Sequence, residues 1–275
     1  MSALVPRPEL VVVRGGGEMA SAAARLLFLC GFRVAVLERE QPLAVRRKVA
    51  FAEAVLAGPA DVEGVPGRRV VLDQVPSVLE DRRFVPVVVD PDGSSLARLR
   101  PAVVVDARMA KRNLGTRIDD APLVVGLGPG FVAAKDVHAV VETQRGPDLG
   151  RVRWTGAAED DTMIPGAVQG YAERRVLRAP RSGVFRGEKR IGEVVMPAAR
   201  VGTIDGEPVA ASIPGLLRGL VADGVTVEAG TKIGDIDPRG PLIDPARISD
   251  KGRAVAAGVL EAVLLALRES QNILP

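Results

Sequence analysis

An internal repeat constrains this chain more than any other feature. "APRSGVFRGEKRIGEVVMPAARVGTID", Ala179 to Asp205, aligns without gaps on "ASIPGLLRGLVADGVTVEAGTKIGDID", Ala211 to Asp237. An offset of 32 residues carries Gly183 onto Gly215, Gly192 onto Gly224 and Gly202 onto Gly234. Short apolar stretches punctuated by glycines describe strands and tight turns, and two equivalent halves predict a small all-β sandwich with pseudo-twofold symmetry.

The first half has a different grammar. "ELVVVRG" is a β-branched apolar run that predicts a buried strand, "EMASAAARLLFLCGF" carries small and apolar residues at helical spacing until Gly31, and "RVAVLE" predicts a second strand. The turn inside this βαβ unit holds Gly15, Gly16 and Gly17, and Gly15-x-Gly17-x-x-Ala20 matches the dinucleotide fingerprint, with Glu38 about 20 residues on, where an acid meets a ribose hydroxyl. Gly15 makes the tight turn, Gly17 admits a pyrophosphate to the backbone, and Ala20 keeps the helix close. The helix N-terminus supplies N–H groups and a positive dipole end. Glu18, an acid in the first turn, opposes a phosphate at close range. Further strands are predicted at "RRVVLD", "FVPVVVD", "PAVVVDA" and "APLVVGLG", with a short helix at "SSLARLR" and another over "AVRRKVAFAEAVLAG". Val-rich runs joined by helical connections predict a doubly wound parallel sheet buried on both faces. The expected architecture is a Rossmann-like α/β domain over 1–155, a linker over 156–175, the β domain over 176–240, and a C-terminal helical segment over 241–275. Ser249 caps that last helix, which is expected to pack back onto a domain.

Composition removes several function classes. The 275 residues are 47% hydrophobic but only 3% aromatic, which argues against a single-stranded nucleic-acid surface of stacking rings despite a pI near 9.3. The formal charge is only +3, with basic and acidic residues interspersed, so no polyanion clamp and no nucleic-acid partner are expected. One cysteine, Cys30, precludes an intrachain disulfide or a multi-cysteine zinc site and fits a reducing cytoplasm. Cys30 is expected in the core of an apolar helix. No secretory pattern and no apolar run near the roughly 18 residues of a bilayer span appear, so neither a targeting segment nor a membrane partner is expected.

Candidate site residues cluster at predicted strand ends. Arg46 and Arg47, with Lys48, are placed to neutralise phosphate. A second glycine turn, "VVGLGPGF" with Gly126, Gly128 and Gly130, is expected to face the same ligand. Beyond it, period-two spacing puts Asp136, His138 and Glu142 on one strand face. His138 is the single histidine and therefore the one side chain with an unperturbed pKa near neutrality. On an enzymatic reading, His138, Asp136 and Lys111 form the catalytic set. Asp-x-His also suits a metal, but no metal ligand set is assigned. "DARMAKRNLGT" offers Asp106, Lys111, Arg112 and Asn113 in a polar loop.

Two resemblances add to this reading. The β repeat resembles the biotinyl/lipoyl carrier fold, a barrel-sandwich hybrid whose central hairpin presents a modifiable lysine. Here the connection is "IDGEPV", without lysine, so no covalent biotin or lipoate is expected. Over almost the whole chain, "RGGGEMA", "EREQPLAVRRKVAFAEAV", "KRNLGT", "GLGPGFVAAKDVHAVVETQRG" and "IGDIDPRG" resemble the selenium-dependent molybdenum hydroxylase system proteins of the YqeB family. That resemblance implies a cytoplasmic accessory protein in maturation of selenium-dependent molybdenum hydroxylases, with a nucleotide or the molybdenum cofactor as ligand. The implied partners are the hydroxylase or its maturation proteins, and a homo-oligomer is compatible with it. An NAD-dependent oxidoreductase, resting on Glu38, and a non-catalytic cofactor-binding chaperone are the alternatives. Family members commonly carry Gly-Asp after the glycines and a histidine in the "RGHDLGR" turn, where this chain has Glu18 and Pro147.

Overall fold

The structure, a computed structural model, describes residues 9–162 and 166–270. It opens with strand β1 (Leu10–Arg14), helix α1 (Glu18–Leu29) and strand β2 (Arg33–Glu38), and β1 and β2 pair in parallel with Val12 opposite Ala35. The chain continues through β3 (Ala60–Val62), β4 (Val65–Arg69), β5 (Val85–Val89), β6 (Val103–Asp106) and β7 (Leu123–Leu127). Then follow β8 (Val132–Ala133), β9 (Ala139–Val141), β10 (Val152–Arg153) and β11 (Gly156–Ala157). Short helices α2 (Glu53–Leu56), α3 (Val75–Asp81) and α4 (Leu96–Leu99) intervene.

Nine of these strands form one sheet in the order β10-β9-β7-β6-β1-β2-β5-β4-β3. The inner seven are parallel, while β3 and β10 close the two edges antiparallel. Alternating side chains supply both faces, with Val11 and Val13 on one and Leu10 and Val12 on the other. The first face packs on α1 and on the long C-terminal helix α5 (Asp250–Ser270), the second on α3, α4 and Phe131. Strand progression reverses at β1, so the crevice between the carboxyl ends of β1 and β6 is the topological switch point.

Local expectations fail where tertiary hydrogen bonds compete. The helix predicted over "AVRRKVAFAEAVLAG" reduces to a 3₁₀ turn, Arg47–Val49, and the four-residue α2. There the Phe51 N–H donates to Ser21 Oγ at 2.7 Å and the Ala52 N–H to the Gly16 carbonyl at 2.9 Å, so the backbone bonds to the glycine turn. The strand predicted at "RRVVLD" falls earlier, on β4, and leaves Val71 63% exposed. Cys30 is not a core residue: it follows the last turn of α1 and is exposed.

The C-terminal strands are β12 (Val176–Arg178), β13 (Gly183–Gly187), β14 (Val194–Val195), β15 (Arg200–Ile204), β16 (Glu207–Ala210), β17 (Gly215–Leu220), β18 (Thr226–Val227) and β19 (Lys232–Asp237). They form two four-stranded antiparallel sheets, β12-β19-β17-β14 and β16-β15-β13-β18. The repeat offset carries β13 onto β17, β14 onto β18 and β15 onto β19, so each sheet takes strands from both halves and the pseudo-twofold exchanges the sheets. Equivalent core positions are filled alike: Phe185 and Leu217, Val201 and Ile233, Ile204 and Ile236 are all fully buried. Asp205 and Gly206, with φ of 46° and 87°, make the two-residue hairpin between the halves.

The β unit docks on the first through backbone. The Leu220 N–H donates to the Val45 carbonyl at 2.8 Å, and Arg47 Nε donates to the Leu220 carbonyl at 2.9 Å. Helix α5 then returns to lie against α1, its start capped by Ser249 Oγ accepting the Gly252 N–H at 3.1 Å. No helix among the described residues is long and apolar enough to cross a membrane.

Candidate functional site

A crevice of about 1020 Å³ opens at the switch point, walled by the glycine turn after β1, the residues after β2, Asp90 to Asp92 after β5, and Ala107 to Ala110 after β6. The three glycines differ in what they require. Gly15 has φ +99° and lies against the Ala107 carbonyl, and a Cβ on Gly16 would come within 2.8 Å of the Ala52 nitrogen. Gly17 has an ordinary φ of −70°, and a Cβ there would meet nothing within 4 Å. Neither the backbone conformation nor the packing of the chain demands glycine at Gly17. It is the N-cap of α1 and supplies no capping side chain, and Gly17, Glu18 and Met19 of the helix start line the crevice.

Glu18 and Arg46 lie beside that turn and occupy each other. Arg46 Nη1 lies 3.2 Å from Glu18 Oε1, the Ser249 N–H donates to the same oxygen at 2.9 Å, and Arg46 Nη2 donates to the carbonyls of Pro245 and Arg247. The Glu18 charge is thereby neutralised and turned toward the C-terminal segment, which removes its conflict with an anion at the helix start. The cost is Arg46, only 8% exposed, which is a structural tie and not a free phosphate ligand. Burial lowers its pKa, and Glu18 opposes the shift. Arg47 is committed as well, to Leu220 and to Glu53 Oε1 at 2.8 Å.

Glu38 lines the crevice at the end of β2. Its carboxylate accepts the Gly16 N–H and the Arg39 N–H, each at 2.7 Å, and so braces the glycine turn. Burial pushes its pKa up, against the pull of those two N–H groups.

The best-connected polar group of the crevice is one that pattern reading did not assemble. Arg14, at the end of β1 and 3% exposed, donates to Thr116 Oγ1 at 2.7 Å and to the Asp92 carbonyl at 2.8 Å. Thr116 Oγ1 donates to Asp106 Oδ2 at 2.6 Å, and Arg108 reaches the same oxygen at 2.6 Å. Asn113 holds Thr116 in place through paired 2.8 Å bonds with its backbone, which gives "KRNLGT" a structural task. Asp90 accepts N–H and hydroxyl donors from Ser94 and Ser95 at the start of α4. Burial alone would raise the Asp90 carboxyl, but these bonds outweigh it and hold it below its ordinary value. The shared signal was an acid or arginine closing each Val run, in "VVVRG", "VVVDP" and "VVVDA".

Several predicted site residues lie elsewhere. Gly126, Gly128 and Gly130 do not line the crevice. A Cβ at Gly126 would strike the Phe131 ring at 2.6 Å, Gly128 has φ +73° against Thr143, and Gly130 has φ +107° against the Arg112 backbone. These glycines are required by the chain's own packing. His138 precedes β9 and pairs with Val124 near the amino end of β7, so it is far along the sheet from the carboxyl-end crevice. Its Nδ1 accepts the Val124 N–H at 3.0 Å, and burial lowers its pKa. The expected trio on one strand face does not form. Asp136 accepts the Val132 N–H in its own turn, and fully buried Glu142 accepts the N–H groups of Thr143, Gln144 and Glu159. Lys111, at φ +60°, pairs with Asp161. Among the described residues no group of three His, Cys, Asp or Glu side chains is placed to hold a metal ion.

Comparison with known proteins adds one close relative. The chain is 46% identical over 261 residues, 95% of its length, to the uncharacterized protein YqeB of Escherichia coli (strain K12). The match supports the YqeB family. The chain spans about half, 48%, of that relative's length. No family model matches. Solved structures with some likeness include an aspartoacylase family protein from Mesorhizobium loti, 12% identical, covering 84% of this chain and 85% of that one at a TM-score of 0.25. The ectoine utilization protein EutE (DoeB) from Ruegeria pomeroyi is 10% identical, covering 83% and 85% at 0.27. A succinylglutamate desuccinylase/aspartoacylase from Rhodobacter sphaeroides is 16% identical, covering 83% and 85% at 0.25. Likeness this weak carries no argument about this chain.

Proposed function

We propose that this protein binds a phosphate-bearing cofactor, a nucleotide or the molybdenum cofactor, in the switch-point crevice, as an accessory factor in maturation of selenium-dependent molybdenum hydroxylases. The maturation role comes from the sequence resemblance. The binding reading rests on one observation: Gly17 begins α1 with no neighbour at its Cβ position, in the wall of a crevice that the helix start lines, where first-turn N–H groups and the dipole suit an anion. The residues present fit a phosphate. Glu18 is neutralised by Arg46, Arg108 is paired with Asp106, and Arg39 brings a further cation to a crevice whose other acids are Glu38, Glu40, Asp90 and Asp92. We assign the C-terminal unit to the biotinyl/lipoyl carrier scaffold on the exchange of strands between its halves, with the lysine-free Asp205–Gly206 hairpin excluding the swinging-arm chemistry.

A cofactor-binding chaperone is favoured over a proton-transfer enzyme by the position of His138, outside the crevice. The test is Gly17→Val. Valine fits the φ of −70°, so the fold and far-ultraviolet spectrum stay native while its side chain obstructs the helix start. Calorimetry with a nucleotide is expected to show at least a tenfold loss of affinity, and unchanged affinity overturns the assignment.

A further inference from the structure

A second cleft, of about 610 Å³, lies across the Glu18–Arg46 pair from the crevice and is lined by Arg145, Arg175, Arg218, Arg239 and Arg247. These come from separated parts of the chain: the turn after β9, the entry to β12, strand β17, and the segment between β19 and α5. Four aspartates answer them. Arg145 grips Asp250 with two bonds of 2.6 and 2.8 Å, Arg239 grips Asp237 with two of 2.9 and 2.7 Å, and Arg175 pairs with Asp235. Arg247 lies 3.7 Å from Asp244. Arg218 is left over. Its side chain is 16% exposed, its nearest carboxylate is Asp237 at 3.7 Å, and that carboxylate already accepts the Arg239 side chain and N–H. Among the described residues the Arg218 guanidinium makes no hydrogen bond, although it carries five donors.

Arg218 is a partly buried cation in the cleft wall whose donors meet no acceptor among the described residues, and five guanidiniums against four carboxylates leave the cleft positive. Planar guanidinium forks match phosphate oxygens two at a time. A ligand entering here competes with the chain's own aspartates, so a singly charged carboxylate gains little and a group with two or more charges gains most. The start of α5 is not the source of the site, since Ser249 already serves Gly252 with its hydroxyl and Glu18 with its N–H. Burial and the nearby Arg145 hold the Lys251 ammonium below its ordinary pKa, which agrees with a positive surround.

We propose that this five-arginine cleft is a second anion site that binds a phosphate or diphosphate group, with Arg218 as its principal ligand. The site is independent of the crevice and stands or falls separately from the function proposed above. Inorganic phosphate and pyrophosphate are the probes, titrated by calorimetry into wild type, Arg218→Gln and Gly17→Val. Arg218→Gln is expected to weaken pyrophosphate binding at least tenfold with an unchanged melting temperature, while Gly17→Val leaves it within twofold. Arg247→Gln, which removes no hydrogen-bonded side chain, is expected to weaken binding about threefold and decides the matter where Arg218→Gln fails to fold. Equal binding by wild type and the arginine variants overturns the proposal, as does loss of all pyrophosphate binding in Gly17→Val, which would assign the anion to the crevice.

Discussion

A single histidine attracts a functional reading because of its intrinsic pKa, but side-chain type does not specify neighbours. Among the described residues His138 has no carboxylate partner, its Nδ1 accepts a backbone N–H, and desolvation lowers its pKa from 6.5. The unfolded chain therefore binds a proton at higher pH than the folded one. The stabilising increment is fully present above pH 6.5 and is lost as pH falls through the lowered folded value. Urea midpoints measured downward from pH 7.5 are expected to fall over that interval in wild type, with a smaller fall in His138→Gln. A profile unchanged by the substitution would contradict this environment. The glycines teach the same lesson in reverse. Gly15, Gly17 and Gly126 look alike in sequence, yet one meets a backbone carbonyl, one meets nothing and one meets a phenyl ring.

Helix α5 shows how an element's interior can be set by its neighbours. Gly258 lies inside it, where alanine favours helix by about 1 kcal/mol through reduced backbone entropy loss. A Cβ at Gly258 would also collide with the Gly150 carbonyl oxygen and approach Val141, and Gly150 in turn lies against the Ala254 carbonyl. Overpacking a tight contact costs about 1–3 kcal/mol, and here the obstacle is backbone, which yields less readily than a side chain. The clash is therefore expected to win, so that Gly258→Ala lowers the thermal midpoint by a few degrees. A raised midpoint would mean that the Gly150 turn gives way. Apolar periodicity made α5 legible, whereas its close approach to a turn about a hundred residues earlier was not.

At the scale of the whole molecule, the Glu18–Arg46 pair joins three regions: the start of α1, the loop after β2, and the segment leading to α5. Both side chains are largely buried, 13% and 8% exposed, so removing one strands the other's charge. Arg46→Met is expected to cost about 3–5 kcal/mol and Glu18→Gln/Arg46→Met appreciably less, measured by urea unfolding. A double variant no better than Arg46→Met would show that the carbonyls of Pro245 and Arg247, and not the ion pair, are what Arg46 serves. The same connections explain why an arginine placed by sequence beside a phosphate turns out to hold the segment leading to α5 to the α/β unit.

Patterns that repeat along the chain were decided by sequence alone. The 32-residue repeat specifies matched strands because equivalent glycines and apolar residues impose equivalent turns and burial on both halves. The Val runs and the Gly15–Gly17 turn likewise specify a parallel α/β unit with a helix start at its switch point. Sequence spacing does not specify which donor meets which acceptor across distant segments. The helix predicted over 44–58 gave way because Ser21 and Gly16 offered its backbone better-placed acceptors, and the Arg14–Thr116–Asp106 group formed because β1 and β6 lie side by side. Arginine and aspartate are abundant throughout this chain, so composition could not select their pairs. Only the tertiary structure brought them within hydrogen-bond reach, where distance and burial determine the partner.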